Sequence, residues 1–467
     1  MAIDRKITQG QERPERAAFP KSKRNDTFFR ALGRDPLNQK ASSKNPGAKP
    51  TNDFPWRDRQ SIDLESGKKM KNAHSGGKLR QIQRREQLFV VALAAAGQSY
   101  PQMTSPWDLA NSQLSDMAVY EPGKPIEETA RELKVDPNEI IKLASNENPL
   151  GPSPKAIEAI RSALESAQLY PDGAGFYLRN ALAEKLGLSR ENIILGNGSN
   201  EIIEFLGHAF LKPGAEVVTT RHAFIAYKLI AQLFGAHTIE TVTPNFEQDL
   251  DAALEAITPK TKIVFIANPN NPTGALISQD KIDQFISRVR QNVIVVFDEA
   301  YFEFLDHPPD TLKFISQNTN VVVLRTFSKI HGLASLRIGY GVARPELIEI
   351  LQKTRAPFNV NGLAQIGALA ALGDLEHQRE TKRIVDFGRG YLQEQFQEMK
   401  LEFVPAAANF VMVNVGDGAT VFKQLLARKI IVRPIKNYGL PEWLRITVGT
   451  TEQNEKCIAA LREVISK

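Results

Sequence analysis

Six short runs of apolar, largely β-branched residues constrain this chain more than anything else in it: NIILGNG (192–198), EVVTT (216–220), KIVFIANP (262–269), VIVVFDEAY (293–301), VVVLRTF (321–327) and RIGYGVA (337–343). They are nearly continuous rather than alternating, the pattern of strands buried on both faces of a sheet. Between them lie helical stretches: EIIEFLGHAFL (201–211), AYKLIAQLFG (226–235) and DKIDQFISRVR (280–290). Strand and helix in alternation predict a large, doubly wound α/β domain with a mainly parallel sheet. In such sheets ligands gather beyond the carboxyl ends of the strands. Residues that carry chemistry should therefore recur just after strands.

They do. GNGSNE (196–201) is a small-residue turn opening a helix, able to hold an anion on backbone N–H groups with Ser199 and Asn200. It is neither a Walker loop nor a dinucleotide GxGxxG. NPNNPTG (268–274) has two Asn-Pro steps in seven residues, a kinked path that can hold Asn271 rigidly. Asp298 ends an apolar strand and needs a cationic or hydrogen-bonding partner. Lys329 follows another strand, between the hydroxyls Thr326 and Ser328 and the cation Arg337. Each feature alone also has an ordinary reading as a turn, a cap or a surface residue. Together they make a carboxylate, an amide, a phenol (Tyr301), a lysine and a phosphate cup at one sheet rim. Pyridoxal 5'-phosphate needs this set: an amine to bond its aldehyde, a carboxylate for its ring nitrogen, donors for its ring oxygen and an anion site.

On these motifs residues 117–467 resemble the fold-type I pyridoxal-phosphate aminotransferases, and within them the histidinol-phosphate aminotransferases. The resemblance also rests on KLASNENPLGPSP (142–154), YPDG (170–173), RAPFNV (355–360), ANFVMV (408–413) and LPEWLRITVGT (440–450), in the family's order. It implies that Lys329 bonds the cofactor covalently and later moves the substrate's Cα proton. It implies that Asp298 pairs with the ring nitrogen, and that Asn271 and Tyr301 donate to the ring oxygen. Ser199, Asn200, Ser328 and Arg337, with Thr326, would hold the phosphate, and Phe224 would stack on the ring. Phe224 stands in RHAFIAY, a departure from the family's proline-threonine-aromatic pattern. Tyr170 matches a tyrosine that reaches the neighbouring subunit's cofactor phosphate, which implies a homodimer. Arg445 matches the arginine that grips the substrate's anionic group, while Tyr120, Asn146 and Arg433 fall at substrate-binding positions. The implied reaction is amino transfer between L-histidinol phosphate and 2-oxoglutarate, with 3-(imidazol-4-yl)-2-oxopropyl phosphate and glutamate as the other pair. An aromatic amino acid aminotransferase of the same subgroup, a phosphate-substrate decarboxylase of the same fold and a non-catalytic cofactor-binding regulator remain as alternatives. The seven histidines form no HExxH-type cluster, so no metal is expected, and His331 reads as a loop residue.

The division expected is 117–165 as a segment of a small domain, 166–355 as the large cofactor-binding domain and 356–467 as the smaller C-terminal α/β domain. Residues 1–116 read as a basic, disordered tail: polar, rich in Pro, Asn, Ser and Lys, and without a sustained period. A solvated tail, an unusual leader, and upstream sequence from a misplaced start are all open; Met117 opens directly onto patterned sequence, which favours the last. The tail holds 21 Lys and Arg against 12 Asp and Glu, leaving 38 against 41 for the rest. The net charge of +6 thus belongs to the tail, and the body carries no signal for nucleic acid. The apolar run at 88–97 is too short for a bilayer, which takes roughly 20 residues, so no membrane partner is expected. One cysteine, Cys457, excludes an internal disulfide and fits a reducing, cytoplasmic setting.

Overall fold

A computed structural model describes residues 105–119, 123–317 and 319–465. The tail reading falls mostly, and the assignment of Tyr120 wholly, outside the described residues. Within the stretch read as tail, residues 105–116 include a short helix, Pro106–Leu109, capped by Ser105. Gln113 Nε2 donates to the Leu233 carbonyl at 3.1 Å, tying this stretch to the body.

The strands, in chain order, are β1 (Ile141–Lys142), β2 (Ile193–Gly196), β3 (Glu216–Thr220), β4 (His237–Thr241), β5 (Thr261–Ala267), β6 (Ile294–Asp298), β7 (Val321–Thr326), β8 (Gly339–Ala343), β9 (Phe403–Val404), β10 (Phe410–Asn414), β11 (Ile430–Ile431), β12 (Arg433–Ile435) and β13 (Leu440–Thr447). Seven of them form one sheet in the order β2-β8-β7-β6-β5-β3-β4. The pairs from β4 through β7 are parallel, and β8 alone runs against its two neighbours. The doubly wound, mainly parallel expectation holds. One apolar layer covers each face: Phe297, Val323 and Leu182 on one side, Val296, Leu324 and Ile203 on the other. Each such buried side chain stabilises the fold by about 1.5–3 kcal/mol. The one strand of this sheet missed in the sequence is β4, HTIET. It is a partly exposed edge strand with no continuous apolar run to betray it.

Helices follow their local chemistry. Ser153 caps Pro154–Ala163, its Oγ accepting from Ala156 N at 3.3 Å, with proline in the first turn where no N–H is needed. Helix Phe176–Leu186 stops at Gly187, which takes the left-handed conformation at φ 65°.

The C-terminal part forms an antiparallel sheet, β12-β13-β10-β9, covered by the helices Leu375–Glu398 and Thr451–Ile465. β1 pairs in parallel with β11, and Leu143, just after β1, packs among Leu392, Val411 and Leu444. The segment before the large sheet thus shares the core of the C-terminal part. Among the described residues, no helix is long and apolar enough to cross a membrane.

Candidate active site

Register brings the strand ends together. Gly196, Gly339 and Thr326 stand abreast on β2, β8 and β7, and Ala267, Asp298 and Leu324 on β5, β6 and β7. The loops that leave these positions carry most of the predicted residues.

Asp298 is buried at the end of β6. Its Oδ2 accepts a 2.7 Å bond from the Tyr227 hydroxyl, while Oδ1 has no partner among the described residues. Burial pushes its carboxyl above the ordinary range, and the Tyr227 bond opposes that shift. The exposure of a cationic N–H donor to Oδ1 would satisfy the group.

Lys329 follows β7 in a turn, and its Nζ donates to the Ser145 carbonyl at 3.3 Å. The amine also lies 5.5 Å from the Tyr301 ring centroid. Burial first, and then the nearby Arg445, lower its pKa to about 7. Near neutral pH a large fraction of this amine is therefore free to act as nucleophile or base. Tyr301 is pushed up to about 12, chiefly by burial, and stays a hydroxyl donor. It accepts from Asn146 Nδ2 at 2.8 Å. Asn146 takes φ 56° and is held by Thr447 and by Asn409.

The anion cup is built from backbone as much as side chain. Helix Ser199–Phe210 begins at Gly198 with no side-chain cap, so its first-turn N–H groups can serve a ligand. Gly198 has φ 80°, and a Cβ there would stand 2.5 Å from Arg337 Nη2. A Cβ on Gly339 would stand 2.3 Å from the Ser199 nitrogen. Gly198 is required by its left-handed backbone, and Gly339 by the close approach of the Ser199 backbone. The Thr326 and Ser328 hydroxyls meet at 3.0 Å beside this cup.

Asn271 and Arg445 are joined: Arg445 Nη1 donates to Asn271 Oδ1 at 2.5 Å, and Nη2 to the Ala144 carbonyl at 2.8 Å. With Oδ1 taken, Nδ2 is the end of the amide that serves an acceptor. Arg445 on β13 is the register partner of Arg433 on β12. Facing residues of an antiparallel pair share one side of the sheet, about 4.5–5.5 Å apart at Cβ, and like charges there repel. An anion between two guanidinium groups relieves that repulsion.

Phe224 is half-buried and meets Tyr227 edge-on at 5.7 Å. Tyr170 is 83% exposed, and its ring stacks on Phe358 at 4.9 Å instead of joining the Lys329 cluster. Sequence reasoning missed Tyr227. Its one signal is a polar handle on the buried face of helix Ala226–Leu233, which must find a partner.

A near-neutral amine, an orphaned buried carboxylate oxygen, a buried phenol and an uncapped helix end with hydroxyls fit pyridoxal 5'-phosphate atom class by atom class. The family profile of aminotransferase class I and II matches residues 138–461, and the chain belongs to that family. More narrowly, it is similar to a histidinol-phosphate aminotransferase of Akkermansia muciniphila: 53% identical over 359 residues, covering 76% of this chain and 98% of that protein. A histidinol-phosphate aminotransferase of Moorella thermoacetica is 48% identical over 351 residues, 74% of this chain and 90% of that one. Among solved structures, histidinol-phosphate aminotransferase from Sinorhizobium meliloti in complex with pyridoxal-5'-phosphate superposes with a TM-score of 0.71. The two are 26% identical, over 79% of this chain and 98% of that one.

Proposed function

We propose that the protein is a histidinol-phosphate aminotransferase, a cytoplasmic homodimer that transfers the amino group of L-histidinol phosphate to 2-oxoglutarate in histidine biosynthesis. The observation that carries this reading is the 53% identity to a relative of that name across 98% of its length. Bound pyridoxal phosphate supplies an electron-poor ring that stabilises negative charge at the substrate's Cα.

Lys329 would bond the cofactor's aldehyde at rest, and its amine, set free when the substrate's amine takes that place, would carry the proton at Cα. A pKa of about 7 suits an amine that must both accept and return a proton. Asp298, held through Oδ2 by Tyr227, would keep the ring nitrogen cationic, with Oδ1 left for that contact. Asn271 and Tyr301 donate to the ring oxygen, and Phe224 covers the ring. Ser199, Asn200, Thr326, Ser328 and Arg337 hold the phosphate. Arg445 grips the anionic group of either substrate; Arg433 and Tyr120 add the contacts to the substrate phosphate, and Asn146 lines the same space. The facing of Arg433 and Arg445 supports a site for doubly charged substrates. Exposed Tyr170 reaches a second copy's cofactor phosphate, which its stacking on Phe358 at a surface supports. In this reading residues 166–355 bind the cofactor and 117–165 join 356–467; the packing of Leu143 supports that join, whereas Ala156, Val360, Ala364, Ala368 and Leu372 pack in the core of the large sheet and set the boundaries nearer that sheet.

The test is direct: purified protein with L-histidinol phosphate and 2-oxoglutarate should form glutamate. Absence of glutamate from a cofactor-loaded preparation would sink the proposal.

A further inference from the structure

The sheet end that carries Asp298 has two faces. Asp298 pairs in register with Leu324, on the side where Tyr227 packs. Side chains alternate along a strand, so the next residues, Glu299 and Arg325, turn to the opposite side, where Phe327 and Tyr340 lie. The ladder continues through them, since Glu299 N donates to the Leu324 carbonyl at 2.8 Å.

Glu299 and Arg325 are 3% and 5% exposed. Arg325 Nε and Nη2 both lie 2.9 Å from Glu299 Oε2. The other carboxylate oxygen accepts from Thr311 Oγ1 at 2.5 Å. The guanidinium stacks 3.6 Å from the Phe302 ring centroid, and the register partner of Arg325 on β8 is Tyr340. Among the described residues Glu303, from the turn after β6, and Lys185, from helix Phe176–Leu186, also act on this pair, and the Asp298 carboxylate acts on Glu299 across the strand. Apart from Asp298, none of these side chains has a part in the proposed chemistry.

Stability alone is a poor reason for such a pair. Apolar residues of similar volume in its place are often as stable or more so. What a planar fork and a doubly held carboxylate supply is direction, because few arrangements of the two strand ends satisfy all the bonds at once. One strand end continues Asp298 and the other leads into Lys329.

We infer that Glu299 and Arg325 are positioning residues: from the face opposite the cofactor, their buried pair locks β6 to β7 and so sets the placement of Asp298 relative to Lys329. The inference rests on the pyridoxal-phosphate reading, not on the choice of amine substrate.

The first measurement uses cofactor-loaded protein without substrate, and the second adds L-histidinol phosphate and 2-oxoglutarate to read kcat and KM. Visible absorbance of the bound cofactor is titrated against pH for the natural protein, Arg325→Lys and Glu299→Gln. A displaced lysine or carboxylate should move the midpoint by at least about 0.5 pH unit, roughly a threefold change in the equilibrium, in one or both variants. In the same variant kcat should fall about tenfold with KM within about twofold. A merely structural pair would lower the melting temperature and leave both readouts in place. If both variants load cofactor and keep the natural midpoint and kcat, the inference is wrong whatever their melting temperatures. If neither variant folds, the pair belongs to stability and the inference is equally overturned. Failure of the aminotransferase reading looks different, since the natural protein itself would then show no cofactor band.

Discussion

Tyr227 donates to one oxygen of Asp298 at 2.7 Å and leaves the other oxygen buried and unpartnered among the described residues. The contact spans 71 positions of sequence and joins a helix to the end of a strand. It fixes which carboxylate oxygen is left for a ring nitrogen, and it favours the ionised form against the pull of burial. Hydrogen bonds to charged groups contribute about 1.5–3 kcal/mol, roughly tenfold to a hundredfold in equilibrium. Tyr227→Phe should therefore weaken cofactor binding by at least about tenfold and lower kcat. Fluorescence titration of cofactor-free protein with pyridoxal phosphate measures the first effect; unchanged affinity would mean that the bond does not orient Asp298.

Lys329 predicts a pH dependence with a definite sign. An amine lowered from 10.5 to about 7 gains its nucleophilic neutral form as pH rises through 7. Reloading of cofactor-free protein should accelerate from about pH 6 to about pH 8 and then level off. A rate that keeps climbing toward pH 10 would place the amine at its ordinary value. The unfolded chain keeps this proton up to about 10.5, so the same shift makes the cofactor-free fold more stable as pH rises from about 7 to 10.5.

Arg433 and Arg445 face each other across β12 and β13, yet in the proposed function they have separate duties. Arg433→Ala should raise KM for L-histidinol phosphate by about tenfold or more and leave KM for glutamate within about threefold. Loss of a charge-assisted contact to a phosphate is large enough for that effect. Equal increases in both constants would assign Arg433 to general anion binding.

Much of this site was legible because the chemistry sits where apolar runs end: Asp298 after VIVVF, Lys329 after VVVLRTF, Asn271 in NPNNPTG. Such runs predict buried parallel strands, and parallel strands put their carboxyl ends on one rim. Relations between distant segments were not legible. That Tyr227 holds Asp298, or that Asn146 bonds Tyr301, depends on how the helix and the segment after β1 pack, and no local pattern encodes it. The facing of Arg433 and Arg445 depends on a ladder whose register shifts between Pro434 and Ile435. The edge strand β4 stayed hidden because its exposed, mixed composition lacks the apolar run of its neighbours.

Exposed Tyr170 predicts a shared site. Tyr170→Ala and Lys329→Ala proteins should each be nearly inactive, while a mixture refolded together should recover activity. In a mixed dimer one site keeps both its own Lys329 and the other copy's Tyr170. No recovery, in a mixture shown by sedimentation to contain dimers, would mean that Tyr170 serves its own subunit or none.

The most direct test of the central claim compares kcat/KM for L-histidinol phosphate with that for phenylalanine, 2-oxoglutarate being the acceptor in both. A histidinol-phosphate aminotransferase should prefer histidinol phosphate by more than about tenfold, equivalent to roughly 1.4 kcal/mol of transition-state binding. A preference of that size for phenylalanine would contradict that claim and make the protein an aromatic amino acid aminotransferase built on the same lysine, aspartate and arginine.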